Sequence, residues 1–502
     1  MEHKKHIHLI GICGTAMASL AGMLQARGHR ITGSDAAAYP PMSNVLAELG
    51  IPLMQPYAEA NLTPRPGWNT PDLVIVGNAI SRGNVELEYV LDARIPFTSM
   101  AAVLHDEFLP GRESLVVAGT HGKTTTTSML AWIYEVAGNR EQGTGDGKDK
   151  SAVQFAPSFL IGGVAENFGT SFMLRPMVEG VKQPFILEGD EYDTAFFDKG
   201  PKFLHYFPDA AILTHVEFDH ADIYPDLAAV KTAFKRLVNL VPRRGRVVAF
   251  DGSENVTECV AKAFCAVERY GFGPESHWRM TEMRHECGLT RWKLVRGGAP
   301  FAELRLPMAG EHNALNATAA AALAAGQGVP VEAIVEALAT FRSVKRRLEV
   351  RAEVHGVTII DDFAHHPTAI RETLRALRAA YPDTGSGGRR LWAVLEPRSN
   401  TLRRNVFEQA LVESLALADR SVLAAVFKSE AIAEGERLHP ENVAAALGAR
   451  GLESAVYADA DAIVAAIAPE LRAGDVVAIL SNGGFGGIYE KLPKALEKLQ
   501  KQ

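Results

Sequence analysis

The sequence contains little cysteine, no long apolar run and no excess of positive charge, and each shortage excludes a class of protein. Its four cysteines, at positions 13, 259, 265 and 287, form no CxxC pair. This argues against a disulfide framework and a zinc site, and it favours the reducing cytoplasm. No run of about eighteen apolar residues is present, so we expect no membrane span. The net charge of −7 offers no basic surface to nucleic acid.

The composition is otherwise that of an ordinary globular protein. Of the 502 residues, 47% are hydrophobic and 22% are charged, close to the average of soluble domains. Strand-like and helical patterns alternate along the chain, which is typical of parallel α/β sheets. The pattern restarts near residues 109–114 and again near 341–350, so we predict three α/β domains in series.

An apolar stretch near the N-terminus, HLIGICGTAMASLAGML (8–24), follows Lys4 and Lys5 and could be a secretory signal. Its glycines at 11 and 14 instead break the run at the spacing of a turn, and the strand-like RITGSD follows. The order of strand, glycine turn, helix, strand and acid predicts a mononucleotide-binding βαβ unit. The fingerprint GxGxxG is absent, so a dehydrogenase is not implied. A βαβ unit without a ligand is the alternative.

The strongest motif is Gly-Thr-His-Gly-Lys-Thr-Thr at residues 119–125, between a predicted strand and a predicted helix. Backbone N–H groups in such a loop can cradle phosphates, Lys123 can hold the β- and γ-phosphates, and Thr124 can ligate Mg²⁺. The full GxxxxGK[ST] pattern is not met, because its first glycine would fall at Val117. The flanking strand and helix nevertheless favour a phosphate loop over a chance Gly-Lys-Thr triplet.

A polar, glycine-rich surface loop is predicted over residues 139–154, and two further buried strands are predicted over 185–193 and 210–220. Acidic residues lie at the carboxyl end of each of these strands. EGDEYD places four carboxylates within residues 188–193, and DHAD occupies residues 219–222. Ligands bind at the carboxyl ends of parallel strands, and hard oxygen donors suit Mg²⁺. We therefore predict that carboxylates of this cluster form a magnesium site, with His220 as a further candidate ligand. A solvated acidic loop and a structural histidine are the alternatives.

Taken together, these motifs resemble the Mur ligases of peptidoglycan synthesis over nearly the whole chain. The matching segments, in order, are GICGTAM, GSD, GTHGKTTTT, EGDEYD, THVEFDHAD, GEHNALNATAA, KRRLE and DDFAHHPT. The resemblance implies an α/β fold of three domains. These would be a Rossmann-like UDP-muramyl-binding domain (1–110), a P-loop ATP-binding domain (111–342), and a Rossmann-like domain (343–502) that closes over ATP and binds the peptide. It also implies a cytoplasmic, ATP-dependent, amide-bond-forming ligase that uses ATP and two Mg²⁺ ions.

The resemblance also implies roles for individual residues. The catalytic residues would be Lys123, Glu188 and His220, and the metal ligands would be Thr124, Glu188 and His220. The ATP-binding residues would be Gly119, Thr120, His121, Gly122, Lys123, Thr124, Thr125, Asn313, Asn316, Arg347 and Asp362. The UDP-muramyl-binding residues would be Gly11, Cys13, Gly14, Thr15, Met17, Ser34, Asp35 and Asn78. The two asparagines could instead cap a helix.

Two branches of the family fit the sequence. One joins L-alanine to UDP-N-acetylmuramate, and the other joins the recycled tripeptide L-alanyl-γ-D-glutamyl-meso-diaminopimelate to it. The chain resembles the tripeptide branch in SDAAAYPPMS (34–43), VGNAISRGN (76–84), GEHN, EPRSNT (396–401) and SNGGFGG (481–487). The tripeptide brings several carboxylates, for which Arg398 offers a planar fork, and Ser399 and Asn400 add neutral donors. We therefore predict tripeptide as the acceptor, with the L-alanine ligase as the alternative and an ordinary surface arginine as the alternative for Arg398.

Other classes of protein remain as alternatives. A nicotinamide dehydrogenase fits the first βαβ unit but not its glycine pattern. A nucleotide-sensing protein with an inactive ATPase fits the phosphate loop, but Lys123, Glu188 and His220 are all present. Several Mur ligases carry a carbamylated lysine after the DH motif, and Lys235 stands at about that spacing. We leave Lys235 unassigned and favour an ordinary lysine on a helix surface. No nucleic-acid or membrane partner is expected.

Overall fold

The computed structural model of the chain describes residues 4–38, 42–66, 69–142, 153–286, 288–382 and 388–499. Over these residues the strands form three large sheets, in chain order, and one short hairpin. The fold is therefore of the predicted α/β class. No helix in the described ranges is both long enough and apolar enough to cross a bilayer.

The N-terminal sheet is parallel, with the strand order β3-β2-β1-β4-β5. Its strands are β1 (His6–Ile10), β2 (Arg30–Ser34), β3 (Leu53–Met54), β4 (Leu73–Val76) and β5 (Phe97–Ser99). Its helices are α1 (Thr15–Ala26), α2 (Met42–Glu48), α3 (Val85–Asp92) and α4 (Met100–Val103). Strand β1 is buried along its whole length, as expected for a central strand covered on both faces. The carboxyl ends of β1, β2 and β4 meet at one edge, where the first glycine turn lies.

The central sheet has the order β17-β16-β15-β14-β13-β12-β6-β9-β7-β8. Its strands are β6 (Glu113–Ala118), β7 (Ser158–Ala165), β8 (Thr170–Met173), β9 (Pro184–Gly189), β12 (Ala210–Leu213), β13 (Arg246–Phe250), β14 (Ala266–Gly271), β15 (Trp278–Glu286), β16 (Leu289–Arg296) and β17 (Ala299–Leu306). A hairpin of β10 (Asp193–Ala195) and β11 (Asp198–Pro201) stands beside it. Its helices are α5 (Lys123–Gln142), α6 (Leu227–Leu240), α7 (Glu254–Val260), α8 (Glu311–Gly326) and α9 (Val331–Ala339). The middle strands run parallel, so their carboxyl ends gather the phosphate loop and both acidic segments at one edge.

Helix α8 is enclosed by the rest of the central domain. Every residue from 313 to 324 is buried, and most of these residues are alanine. The helix lies against α5, α9 and several strands of the sheet. Small side chains let these elements approach closely, so α8 packs through its backbone and methyl groups.

The C-terminal sheet has the order β18-β19-β23-β20-β21-β22, with β18 antiparallel at one edge. Its strands are β18 (Glu349–Val354), β19 (Val357–Asp362), β20 (Leu391–Leu395), β21 (Arg420–Ala424), β22 (Glu453–Tyr457) and β23 (Val476–Leu480). Its helices are α10 (Pro367–Ala380), α11 (Glu408–Leu415), α12 (Pro440–Gly448), α13 (Ala460–Ile467) and α14 (Ile488–Leu499). The segment EPRSNT begins directly after β20, so it lies at the carboxyl edge of this sheet.

The N-terminal domain packs against the central one through α1. The Ser19 and Ser171 hydroxyls are 2.7 Å apart. A Cβ atom on Gly22 would lie 2.4 Å from the ring of Phe172, so the close approach of α1 to β8 requires glycine there.

The structure differs from the sequence-based prediction at several elements. The strands predicted over 185–193 and 210–220 end at Gly189 and Leu213, and their acidic continuations are irregular loops. The antiparallel strands β15–β17 were not predicted, although burial alternates along β16. The loop predicted over 139–154 begins later, because α5 continues to Gln142.

Some predictions concern residues that the structure does not describe. Residues 143–152 of that loop, residues 39–41 of SDAAAYPPMS and the cysteine at 287 lie outside the described ranges. The cysteines at 13, 259 and 265 are free thiols.

Candidate active site

The phosphate loop, residues 119–125, connects β6 to α5. Gly119 and Gly122 have φ angles of +131° and +78°. A Cβ atom on Gly119 would lie 2.1 Å from the Thr214 hydroxyl, and one on Gly122 would lie 2.4 Å from the Asn316 amide oxygen. Both glycines are therefore required by backbone conformation and by space. Of the loop's other predicted ATP contacts, Thr120, Thr124 and Thr125 are buried.

Lys123 is the first residue of α5, and its side chain is 12% exposed. Its Nζ lies 2.8 Å from the carbonyl oxygen of Gly119 and 2.7 Å from a carboxylate oxygen of Glu191. Burial opposes the charge of Lys123, but Glu191 and Asp190 outweigh burial and raise its pKa. Lys123 is therefore a cation at neutral pH, held at the mouth of the phosphate loop.

Thr124 and Glu188 are in direct contact. The Thr124 hydroxyl donates to Glu188 Oε1 at 2.8 Å, and the Gly162 N–H donates to Oε2 at 2.7 Å. Burial raises the pKa of Glu188, although the charge of Lys123 and these hydrogen bonds oppose the change. Hydroxyl and carboxylate oxygens are hard donors of the kind that Mg²⁺ prefers.

His220 lies beside Glu191 rather than beside Glu188. Its Nε2 is 3.1 Å from Glu191 Oε1, while Glu191 Oε2 is the oxygen bonded to Lys123. Burial lowers the pKa of His220, but the hydrogen bond and charge of Glu191, with the charge of Asp219, raise it above its ordinary value. Glu191 is 2% exposed, so it connects two predicted catalytic residues inside the protein.

Glu191 is the residue of this site to which the sequence analysis gave no role of its own. In the sequence, Glu191 is marked only by its place in the acidic cluster EGDEYD. Which of the clustered carboxylates turns inward depends on the chain path after β9 and on the position of Lys123, and neither is visible in the sequence.

Asn313 and Asn316 are buried in the first turns of α8. The helix begins at Glu311 and is preceded by Gly310 at the N-cap position. The Asn313 amide donates to the carbonyl of Ala309 at 2.8 Å. Helix capping therefore does not explain either asparagine, and Asn316 lies against the phosphate loop.

Arg347 and Asp362 belong to the C-terminal domain. The Arg347 guanidinium lies 5.1 Å from the centre of the Phe363 ring. The Asp362 carboxylate accepts hydrogen bonds from the backbone N–H groups of Leu348, at 2.8 Å, and Ala364, at 2.9 Å. Asp362 thereby fixes the turn that carries Arg347, and the predicted contacts of both with ATP stay predictions.

The first glycine turn is bonded to the end of β2. Gly11 has a φ angle of +82°, and its N–H donates to the Ser34 carbonyl at 2.9 Å. The N–H of Cys13 donates to the Asp35 carboxylate at 2.8 Å. Burial and the adjacent Asp35 raise the pKa of the Cys13 thiol to about 11. The turn is therefore rigid, and its thiol is neutral at physiological pH.

The other predicted UDP-muramyl contacts surround this turn. Gly14 precedes α1 as its N-cap residue, and Thr15 begins the helix. Met17 is buried and Asn78 is exposed. The structure thus gathers these residues at one edge of the sheet, and their contacts with ligand stay predictions.

A buried polar cluster lies under the turn. The Ser34 hydroxyl donates to Glu86, the Asn61 amide donates to the same carboxylate at 2.6 Å, and His8 lies 3.6 Å from it. Burial opposes ionisation of Glu86, but these hydrogen bonds outweigh burial and lower its pKa. Ser34 is thus hydrogen-bonded to a buried carboxylate, which supports it from below the turn. Glu86 was not predicted, because the segment VELEYVLD has the pattern of an ordinary helix.

Arg398 lies in the segment after β20, and its side chain stacks on the ring of Phe427. Its guanidinium lies 3.9 Å from the centre of the Phe427 ring, and one nitrogen lies 3.3 Å from Glu396. A Cβ atom on Gly483 would lie 2.2 Å from the Arg398 Nε. The guanidinium plane is therefore fixed between Phe427 and the Gly483 backbone, and the side chain is 31% exposed.

Ser399 and Asn400 make hydrogen bonds within the chain. The Ser399 hydroxyl accepts the N–H of Leu402 at 3.1 Å and donates to the carbonyl of His365 at 3.3 Å. The Asn400 amide donates to Asp222 of the central domain at 2.6 Å. Asn400 therefore joins the two domains and Ser399 fixes the loop within its own domain, and their predicted contacts with peptide stay predictions.

A cluster of His121, Glu217 and His366 joins the phosphate loop to the C-terminal domain. His121 Nε2 and His366 Nδ1 lie 3.0 and 3.7 Å from the same Glu217 oxygen, a spacing that a metal ion could bridge. The Thr368 hydroxyl donates to Glu217 at 2.7 Å, and His366 Nδ1 accepts the Thr368 N–H at 3.2 Å. Because hydrogen bonds already engage these atoms, we interpret the cluster as a bonded junction between the domains.

Lys235 lies on the surface of α6. Its side chain is 45% exposed, and its Nζ lies 4.0 Å from Glu258. This position is that of an ordinary helix-surface lysine.

Three family models match the chain in succession. They describe the catalytic domain of the Mur ligase family (residues 6–108), the Mur ligase middle domain (117–324) and the glutamate ligase domain of Mur ligases (346–483). The matches follow the order of the three sheets.

Relatives match over the full length. The chain is 40% identical to the UDP-N-acetylmuramate–L-alanyl-γ-D-glutamyl-meso-2,6-diaminoheptandioate ligase of Escherichia coli strain K12, over 98% of both chains. It is 32% identical to the UDP-N-acetylmuramate–L-alanine ligase of Variovorax paradoxus, over 98% of this chain and 95% of that one. The crystal structure of a murein peptide ligase from Psychrobacter arcticus superimposes with a TM-score of 0.72 at 36% identity, covering 98% of both chains. From its phosphate loop to its three sheets, and over its full length, the chain belongs to the Mur ligase family.

Proposed function

We propose that the chain is an ATP-dependent ligase that joins L-alanyl-γ-D-glutamyl-meso-diaminopimelate to UDP-N-acetylmuramate. The observation that carries the proposal is the difference in identity between the two kinds of relative. Identity is 40% to the tripeptide ligase of Escherichia coli and 32% to the L-alanine ligase of Variovorax paradoxus, each over almost the whole chain. The L-alanine ligase is the alternative activity. The three described cysteines are free thiols, which supports a cytoplasmic site of action.

We propose one role for each domain. The turn at Gly11–Met17 and the end of β2 would hold the UDP-muramyl group, the phosphate loop would hold ATP, and the C-terminal domain would supply Arg347 and the peptide contacts. The proposed limits are 1–110, 111–342 and 343–502, and the three family matches fall inside them.

The donor atoms around the phosphate loop fit Mg²⁺. Thr124 and Glu188 offer oxygen donors in contact with each other. His220 offers a ring nitrogen, and Glu191 is the carboxylate that orients this ring. When bound, Mg²⁺ offsets phosphate charge. We propose Thr124 for one ion, and Glu188 and His220 for the other.

The chemistry follows from these positions. The muramyl carboxylate oxygen attacks the γ-phosphorus of ATP, and an acyl phosphate and ADP form. The α-amine of the peptide then attacks the acyl carbon, and the tetrahedral intermediate expels phosphate and loses an amine proton as the amide bond forms. Lys123 stabilises the charge on the transferring phosphoryl group. The docked C-terminal domain excludes water, which would otherwise hydrolyse the acyl phosphate.

Acceptor preference tests this proposal. In the presence of ATP, Mg²⁺ and UDP-N-acetylmuramate, the tripeptide should support phosphate release with a kcat/KM at least about a hundredfold above that of L-alanine, because only the tripeptide can use additional carboxylate contacts, each worth on the order of tenfold or more. Phosphate release should also require UDP-N-acetylmuramate. A higher kcat/KM for L-alanine would identify the chain as the L-alanine ligase instead.

Magnesium dependence tests the metal ligands. Glu188→Gln and His220→Ala should each raise the Mg²⁺ concentration for half-maximal activity by about tenfold or more, because each removes one donor from the same ion. The matched control is Glu258→Gln, since Glu258 is an exposed carboxylate on α7. An unchanged Mg²⁺ titration in both site variants would exclude the pair as ligands.

A further inference from the structure

The loop that carries His220 lies between two domains. We define the junction segment as residues 217–222, EFDHAD. On one side it is bonded to the phosphate loop, since the Glu217 N–H donates to the Thr120 hydroxyl at 2.9 Å and His121 bonds the Glu217 carboxylate at 3.0 Å. The segment is therefore in contact with the ATP-binding machinery of its own domain.

On its other side the junction segment is bonded to the C-terminal domain. The contacts are Thr368 to Glu217 at 2.7 Å, His366 to the Phe218 carbonyl at 3.2 Å, Thr401 to the Ala221 N–H at 3.2 Å and Asn400 to Asp222 at 2.6 Å. Residues on both sides of His220 are thus held by groups from the docked domain.

Thr401 is the contact nearest to His220. Its hydroxyl accepts the Ala221 N–H at 3.2 Å, and it lies near enough to the Asp219 carboxylate to interact with it. That carboxylate in turn accepts the N–H of His220 at 2.7 Å. Thr401 and Asp219 are 2% and 5% exposed, so water does not compete freely for these bonds. Thr401 therefore holds the residue that follows His220 and lies beside the carboxylate that accepts the His220 N–H.

His220 has a backbone conformation that needs such support. Its φ angle is +55°, in the left-handed region that residues other than glycine seldom occupy. This backbone conformation sets the direction of the side chain. In that direction the ring Nε2 lies within hydrogen-bonding distance of Glu191. If the bond between Thr401 and Ala221 is lost, the segment can relax toward commoner angles and move the ring.

We propose that Thr401 is a positioning residue that couples docking of the C-terminal domain to the orientation of His220. The proposal rests on the metal role of His220 in the proposed function. The domain that brings the peptide contacts thereby also completes the metal site of the central domain. Phosphoryl transfer is favoured when the acceptor domain is in place.

The test compares Thr401→Val, which removes the hydroxyl at nearly constant shape, with Thr401→Ser, which keeps it. Mn²⁺ is titrated into the full chain with a non-hydrolysable ATP analogue and followed by electron paramagnetic resonance. Thr401→Val should weaken Mn²⁺ binding by about tenfold, as does loss of other groups that orient metal ligands. Thr401→Ser should bind Mn²⁺ within about twofold of the wild type. The half-saturating Mg²⁺ for activity should shift in parallel.

Two further variants complete the design. Thr401→Ala should repeat the loss if Thr401→Val folds poorly, and thermal melting reports folding in each case. Thr232→Val is the matched control, because Thr232 is a threonine on α6 that bonds only its own helix in the described structure. His220→Ala sets the affinity that remains without the histidine.

Unchanged Mn²⁺ affinity in Thr401→Val, or equal affinity in the wild type and His220→Ala, overturns the proposal. Loss of affinity in Thr401→Ser equal to that in Thr401→Val also overturns it, since the hydroxyl would then not be the cause. Failure of the proposed function is a separate result: the wild type would release no phosphate with tripeptide, while the Mn²⁺ titration would still report on Thr401.

Discussion

Replacing Lys123 by alanine should lower kcat by about a hundredfold or more, because a positioned cation stabilises charge that develops in phosphoryl transfer. Lys123 is buried at the end of the phosphate loop, and Glu191 holds its pKa above the ordinary value. No other lysine or arginine belongs to residues 119–125, so no cation of the loop can replace it. Initial rates of ADP formation at saturating substrates measure the effect, and near-normal turnover would remove Lys123 from the mechanism.

The same substitution also affects folding, and a second variant separates the two effects. Lys123→Ala leaves the buried Glu191 carboxylate without its cation, and loss of one partner of a buried pair costs about 3–5 kcal/mol. Lys123→Ala with Glu191→Gln removes the uncompensated charge. The double variant should therefore recover thermal stability and remain inactive. Recovery of activity in the double variant would mean that the single variant had merely unfolded.

Arg398→Ala should raise the KM for the tripeptide by about ten- to a hundredfold, the equivalent of a charge-assisted bond of roughly 1.5–3 kcal/mol. Phe427 and the Gly483 backbone hold the Arg398 plane in place, so the fork is oriented before ligand binds. The KM values for ATP and UDP-N-acetylmuramate should change little, because those ligands are assigned to other residues. Steady-state kinetics with each substrate varied in turn measures this.

Arg398→Lys should recover only part of the loss, because lysine keeps the charge but has neither the fork nor the flat face that stacks on Phe427. Arg450→Ala is the matched control, since Arg450 is an exposed arginine of the same domain. If Arg398→Ala leaves the tripeptide KM unchanged, peptide selection lies elsewhere.

Much of the fold could be predicted where the information is local. The first βαβ unit was predicted from two short apolar runs and two glycines, and the strands and helix lie where they were expected. The phosphate loop was likewise placed between β6 and α5. The order of strands in each sheet was not predictable, because it depends on which distant segments pair. The antiparallel strands β15–β17 were missed, although the alternating burial of β16 is a period-two pattern that the sequence carries.

The site was predictable as a collection of residues but not as a geometry. The motifs predict Glu188 and His220 as ligands, and that pairing stays a prediction, but they give no role to Glu191, which lies between His220 and Lys123 in the structure. Thr401 likewise has no predicted role, because its contact with Ala221 joins residues 180 positions apart. Such contacts form only when two domains meet, so a motif within one segment cannot predict them.

The enclosure of α8 has a genetic consequence. A single-base change in an alanine codon yields valine, threonine, serine, proline, glycine, aspartate or glutamate. In a helix buried along residues 313–324, the larger products overpack the interior, at about 1–3 kcal/mol each, glycine and proline weaken the helix itself, and the acids bury an unpaired charge. Serine is the mildest of these products, because its hydroxyl can bond back to a carbonyl one turn earlier. The helix that sets Asn316 against the phosphate loop is thus a stretch in which replacement of an alanine has few harmless outcomes.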